Sequence, residues 1–242
     1  MLYFQDFGNL LYRFGNEEDT VVFQDISKYA DVIDQVKDDI SFLNYHTIQE
    51  GFRPDQLSIQ LYNTPVYYWT FYLLNDDIRL QGWPLPNGEL MEEIQRRYPN
   101  TVVTTRDEIA TKFKVGQTMT GSTSGESGVI LRRNLNLGQI VIEGTKSFLS
   151  TGEPFQSTNA SGAIETMTSV SSSKEYLAAR HYIDSSGSIV DVDPFSAPGA
   201  LLTERTNEET EVNVNRSLRT IKVIKPSLMP TLVSSYKKSI RA

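Results

Sequence analysis

The chain has 242 residues, 39% hydrophobic and 22% charged, with a net charge of −7, no cysteine and only two histidines, His46 and His181. Such a composition supports packed cores, in one large domain or two to three small ones, and is not that of a disordered chain. It excludes disulfides, thiolate metal sites and cysteine nucleophiles, and two histidines leave little room for histidine-dependent chemistry.

No apolar run approaches the ~20 residues that span a bilayer, and the start, MLYFQDFGNLLYRF, has neither a basic n-region nor a small-residue cleavage site. The expectation is a protein of the cell interior, or of a particle assembled there, with no membrane partner. Charge is uneven: residues 212–242 hold seven basic side chains (Arg216, Arg219, Lys222, Lys225, Lys237, Lys238, Arg241) and no acidic one, which leaves −14 on residues 1–211. Such asymmetry can steer docking. Nucleic acid is not expected as a partner, because Tyr236 alone among the tail's side chains could stack on a base.

In chain order, residues 1–44 open with an aromatic lead (Tyr3, Phe4, Phe7, Leu10, Tyr12, Phe14) and a polar turn at Asn16 to Asp19. A helical stripe of Ile26, Tyr29, Ala30, Ile33 and Val36 follows. Residues 45–85 read as a βααβ module. Pro54 and Pro65 each suit the first turn of a helix, and Thr64 suits an N-cap. Leu57 and Leu61 share one face, Trp69, Tyr72 and Leu73 another, and Asn75-Asp76-Asp77 stops the second helix before a return strand. The turn WPLPNG leads into a helix with Leu90, Met91, Ile94 and Tyr98 on one stripe, closed by Pro99. The module and this helix together make a segment over 45–110.

Residues 111–174 change character. Seven of fifteen glycines fall from Gly116 to Gly152, and the β-type runs VILRR and QIVIEG alternate with turns, which predicts a small all-β insertion, a barrel or a curled sheet. The Ser/Thr-rich stretch 156–174 reads as a linker. Residues 175–242 resume with YLAARHYI, a Gly187 turn, a loop from Pro194 to Pro198, the β-type run LRTIKVIK and a last helix in which Leu228, Leu232, Tyr236 and Ile240 recur every four residues. The fold class expected is α+β.

No motif supplies catalytic chemistry. GSTSGESG lacks the Lys-Ser/Thr of a P-loop and the spacing of a dinucleotide fingerprint, and Thr123 stands where a nucleophile elbow needs serine, so it reads as turn chemistry. Adjacent carboxylates at Asp38-Asp39, Asp76-Asp77, Glu92-Glu93 and Glu208-Glu209 point about 100° apart on a helix and do not converge on one bond. The sequons at Asn159 and Asn215 read as chance matches. No catalytic residue, cofactor or metal is expected. Tyr67, Tyr68, Trp69, Phe71 and Tyr72 cannot all face one core, so some are expected to be exposed or covered by a partner. The candidate interface set is Tyr67, Tyr68, Trp69, Tyr72, Trp83, Arg216 and Arg219.

The aromatic-led strand, the Gly51 turn, Asp55-x-Leu57-Ser58 with Leu61-Tyr62, then Leu74-Asn75-Asp76 and Trp83-Pro84-Leu85 resemble a LysM module. The variant with Pro65, Tyr68-Trp69 and Gly82-Trp83 is similar to the LysM-containing baseplate wedge subunit of T-even-type contractile-tailed bacteriophages. Glu211-Val212-Asn213, Asn215-Arg216 and the run from Arg219 to Ile224 are similar to that family's late N-x-x-R-x-I-x-V-I pattern. The likeness covers residues 1 to about 110 and about 175 to 240, and residues 111–174 depart from it.

The resemblance implies a structural protein of the virion tail baseplate, assembled in the host cytoplasm, that contacts other wedge and tail proteins and the adjacent wedge around the hub. The rival expectation is a LysM-type module that binds peptidoglycan or N-acetylglucosamine chains.

Overall fold

The computed structural model, which describes residues 9–13, 20–24, 37 and 39–241, is of the α+β class. The helical stripe expected over 26–36, and the aromatic lead apart from its strand residues, lie outside the described residues. The chain forms two compact units, one of residues 1–86 with 215–242 and one of residues 87–214.

The first unit holds an antiparallel hairpin of β1 (Asn9–Tyr12) and β2 (Val21–Gln24), and a second two-stranded sheet in which β3 (Leu43–Thr47) pairs antiparallel with β13 (Thr220–Ile224). Between β3 and β13 in sequence come α1 (Pro54–Tyr62), a 3-10 turn (Pro65–Tyr67), α2 (Trp69–Leu74) and α3 (Asp76–Gln81). Local signals account for these elements. Pro54 occupies the first turn of α1, the Gln56 carbonyl accepts from Arg53 N at 3.0 Å, and Asn63 ends the helix in the left-handed region at φ 57°. Thr64 accepts from Val66 N and caps the 3-10 turn containing Pro65, where the sequence predicts the start of the second helix; α2 itself begins at Trp69.

The return strand expected after Asn75-Asp76-Asp77 is instead α3, which Gly82 closes at φ +95° with its N–H on Ile78 O. The strand that pairs with β3 comes from the far end of the chain. Ile78 is buried while Leu80 is exposed, a spacing too short to separate strand from helix by sequence alone. Two apolar clusters pack on the sheet. Leu43, Trp69, Leu74 and Ile224 meet Met229, Leu232, Val233 and Tyr236 of α6 (Met229–Arg241), and Ile48, Leu57, Phe71, Ile78, Leu218, Ile221 and Val223 form the other. Leu232 and Tyr236 face the core as the four-residue spacing predicts. Leu228 lies in the 3-10 turn before α6, and the side chain of Ile240 lies outside the described residues.

The second unit contains α4 (Asn87–Arg97), which buries Leu90 and Ile94, and a closed six-stranded antiparallel barrel ordered β4-β7-β6-β5-β8-β9. Its strands are β4 (Thr101–Thr105), β5 (Thr118–Gly121), β6 (Ser127–Asn134), β7 (Gln139–Ile142), β8 (Pro154–Thr158) and β9 (Ile164–Lys174). Val103, Ile109, Phe113, Met119, Ile130, Ile140, Ile142, Phe155 and Met167 fill it. A three-stranded sheet of β11 (Ile189–Val190), β10 (Ala179–Ile183) and β12 (Thr203–Thr206) follows. Then α5 (Asn207–Ser217) carries the chain from the second unit back into the first.

Two expectations are corrected here. The barrel begins at Thr101, ten residues before the expected boundary, because the β-branched run TVVTT directly after the Pro99 stop is its first strand, β4. The stretch 156–174 is not a linker. It supplies most of β8 and all of β9, whose inward side chains from residue 165 to 169 are Glu165, Met167 and Ser169. Polar residues at inward positions hide the period-2 pattern from a hydrophobicity reading.

Candidate interaction surface

The aromatic stretch sorts into core and rim. Trp69 is only 5% exposed and stacks on Tyr236, with ring centroids 4.9 Å apart; Phe71 is wholly buried. Trp69 is therefore a core residue of the chain and not the exposed interface anchor the sequence suggests, because its indole is covered by α6. A helix of six residues bearing alternating bulky rings must bury one face, and position 69 points at α6.

Tyr67, Tyr68, Tyr72 and Trp83 are half-buried. Tyr67 meets Tyr62 edge-on at 6.0 Å, and Trp83 packs on Phe71 at 6.0 Å and Tyr72 at 5.9 Å while its indole N–H donates to Phe52 O at 2.7 Å. These four are partly buried and pack against the two cores. Arg216, exposed, and Arg219, half-buried, lie at the turn between α5 and β13, where Arg219 approaches Glu50 at 3.8 Å. Burial pushes the hydroxyls of Tyr62, Tyr72 and Tyr236 above the ordinary tyrosine pKa, so these rings stay neutral.

Sequence reasoning missed the two asparagines that knit the first unit. The Asn75 carboxamide accepts from Lys222 N at 2.8 Å and donates to Lys222 O at 2.9 Å, taking the place of a neighbouring strand on the outer edge of β13. Asn215 does the same for Leu85, at 2.8 and 3.0 Å, and is itself 7% exposed. Its burial makes it no glycan acceptor. Neither role has a local sequence signal, since each partner lies more than a hundred residues away. Replacing Asn215 by alanine strands both Leu85 backbone groups. Denaturant unfolding is expected to show a loss of roughly 2–4 kcal/mol, against less than about 1 kcal/mol for an exposed control such as Asn213→Ala.

An open cleft of about 560 Å³ in the same unit is lined by Lys37, Asn75, Asp76, Asp77, Thr220 and Lys222, among others. Asp76 is held between Lys37 and Arg79, the latter at 2.8 Å. His46 lies on β3 and His181 on β10, in different units. Among the described residues, no group of three or more histidine, aspartate or glutamate side chains could hold a metal ion, and no helix is long and apolar enough to cross a membrane.

In the second unit, the GSTSGESG loop joins β5 to β6 and does cradle an anion, but the anion is the chain's own. The Glu153 carboxylate, fully buried, accepts from Ser124 N and Leu149 N, each at 2.7 Å. A Cβ at Gly121 would sit 2.3 Å from that carboxylate, which is why glycine stands there. Burial works to raise the Glu153 pKa, yet hydrogen bonds from Ser124, Leu149 and Thr123 outweigh it and hold the carboxyl below the ordinary value of 4.5. Glu175, also buried, is paired with Arg132 and accepts from the Asn100 side chain at 2.7 Å. Glu211 accepts from Arg97, Tyr98 and Arg180 at 2.8 to 3.1 Å. These carboxylates brace turns and helix ends.

Compared with protein-family models and with curated proteins, the sequence matches none.

Proposed function

We propose that this chain is a structural subunit of a contractile-tail baseplate wedge, joining wedge-core proteins and the neighbouring wedge around the hub. The observation that supports the reading is the pairing of β3 with β13. The two stretches that resemble the wedge family, residues 45–85 and 211–224, are remote in sequence. Yet β3, α1, α2, α3 and β13 belong to one compact unit, which supports reading them as a LysM-like βααβ module with one further helix. On this reading residues 87–214 are an insertion before the closing strand, and the barrel reaches an additional neighbour. The half-buried rings of Tyr67, Tyr68, Tyr72 and Trp83, with Arg216 and Arg219, supply the aromatic and arginine content of interface hot spots.

Co-expression of the full chain with the tail proteins encoded beside it, followed by size analysis, is expected to yield a stable complex. Double substitution of the rim residues Tyr68→Ala and Arg216→Ala should weaken it at least about tenfold. A chain that elutes alone from every such mixture would remove the proposal.

The cleft beside Asn75 and Thr220 favours a second reading, in which the βααβ unit binds N-acetylglucosamine oligomers. The full chain is the reagent for that test, because residues 45–85 alone lack β13. Titration without saturable binding at millimolar oligomer excludes it.

A further inference from the structure

One end of the barrel is covered by a segment that no strand holds. Residues 106–115 follow β4 and set Ile109 and Phe113 into the barrel's core cluster, 3% and 0% exposed. Among the described residues, no backbone–backbone hydrogen bond joins residues 106–115 to a strand; the chain returns to the ladder at Gly116, whose N–H donates to Ile130 O at 2.9 Å.

Three charged side chains take the place of a ladder, at the end of the barrel where β4 and β6 finish and β5 and β9 begin. Asp107 accepts from Thr168 N of β9 at 2.7 Å. Glu165 of β9, 8% exposed, accepts from Phe113 N at 2.8 Å. Nη1 of Arg133, on β6, donates to the carbonyls of Ile109, Ala110 and Lys112.

Phe113 is held against its own backbone preference, at φ 50°. Apart from glycines, the only other described residue at positive φ is Asn63, in a helix cap that suits asparagine. A bulky side chain persists in the left-handed region only where its surroundings hold it, and such positions concentrate at clamps and switches. Here the Glu165 carboxylate on the N–H and the burial of the ring do the holding.

A segment without backbone bonds to its neighbours, and with a strained residue in it, opens at lower free energy than the strands it covers. We propose that residues 106–115 are a plug, latched by Asp107, Arg133 and Glu165, that releases as one unit while the six strands stay paired. Release uncovers the barrel's core at that end. Met119, Phe155 and Met167 belong to the same cluster as Ile109 and Phe113, so what is uncovered is apolar and adaptable, suited to an apolar ligand.

Native-state hydrogen exchange of the full chain reads the release. The amides of Phe113 and Thr168 should share one opening free energy and exchange at least about tenfold faster than the slowest amides of β7, which is paired on both sides. Arg133→Met removes a latch that touches neither amide. It is expected to accelerate both by at least about a further tenfold, to leave β7 unchanged and to raise the fluorescence of bound anilinonaphthalene sulfonate. Asp107→Ala, which acts on Thr168 directly, should accelerate Phe113 as well.

Wild-type Phe113 and Thr168 amides that exchange only as fast as those of β7 would overturn the proposal. So would an Arg133→Met chain in which either amide or the dye signal is unchanged, or in which β7 is accelerated equally, as a merely structural arginine requires.

Discussion

Trp69→Ala is expected to cost about 3–5 kcal/mol of stability in the first unit, the range for removing a large aromatic side chain from a core. The indole fills the space between Leu43, Leu74 and Ile224 on one side and Met229, Leu232 and Val233 on the other, stacked on Tyr236. Helix α2 has only six residues and cannot hold itself by its own hydrogen bonds, so the packing of its buried face keeps it formed. Denaturant unfolding followed by tryptophan and tyrosine fluorescence gives the magnitude. Hydrogen exchange should show the loss at amides of β3, β13 and α6. A stability within about 1 kcal/mol of wild type would mean that Trp69 is not packed as described. Truncation of residues 212–242 is expected to be more severe still, since it removes β13 and α6 together, so neither change serves as a probe of partner binding.

Glu153→Gln is expected to destabilise the barrel by roughly 2–4 kcal/mol, because the glutamine keeps one acceptor but turns its own N–H2 toward a second backbone donor. The carboxylate joins the β5–β6 turn at Ser124 to the segment before β8 at Leu149, and Gly121 leaves no room for rearrangement around it. The effect depends on pH in a definite direction. With its pKa below 4.5 in the folded chain, Glu153 binds a proton less readily there than in the unfolded chain. Its contribution is therefore complete above about pH 4.5 and is lost as the pH falls through the folded pKa. Thermal unfolding of wild type and variant between about pH 3 and 7 should give curves that converge on the acid side. Parallel curves across that window would show that the carboxylate does not bear this load.

Local chemistry made much of this fold legible. The prolines at 54 and 65, Thr64 and the Pro99 stop place helices α1 and α4 and the 3-10 turn before α2 to within a few residues, because caps and first turns are settled by neighbours in sequence. The glycine-punctuated runs announced a curled β structure, and the spacing of Leu232 and Tyr236 announced the buried face of α6. The strand β9 escaped because Glu165 and Ser169 face inward, where a polar side chain is tolerated only with a hydrogen bond. Glu165 accepts from Phe113 N at 2.8 Å, and the Ser169 hydroxyl donates to Glu153 O at 3.3 Å. Nothing in a hydropathy pattern carries that information.

The candidate surface divides in the same way. Sequence alone determined that five aromatics in six residues could not share one core, and that the tail beyond residue 211 is wholly basic in its charged side chains. Only the tertiary structure decided that Trp69 belongs inside while Tyr67, Tyr68 and Tyr72 stand at the rim, because that depends on where α6 lies against α2.

Only the tertiary structure decided, likewise, that β3 is paired by β13 rather than by the segment after Asn75, and that Asn75 guards the outer edge of β13. The reason is physical. Turn and cap energies are set within a few residues, whereas strand pairing and side-chain burial are settled between segments that the chain brings together from more than a hundred residues apart.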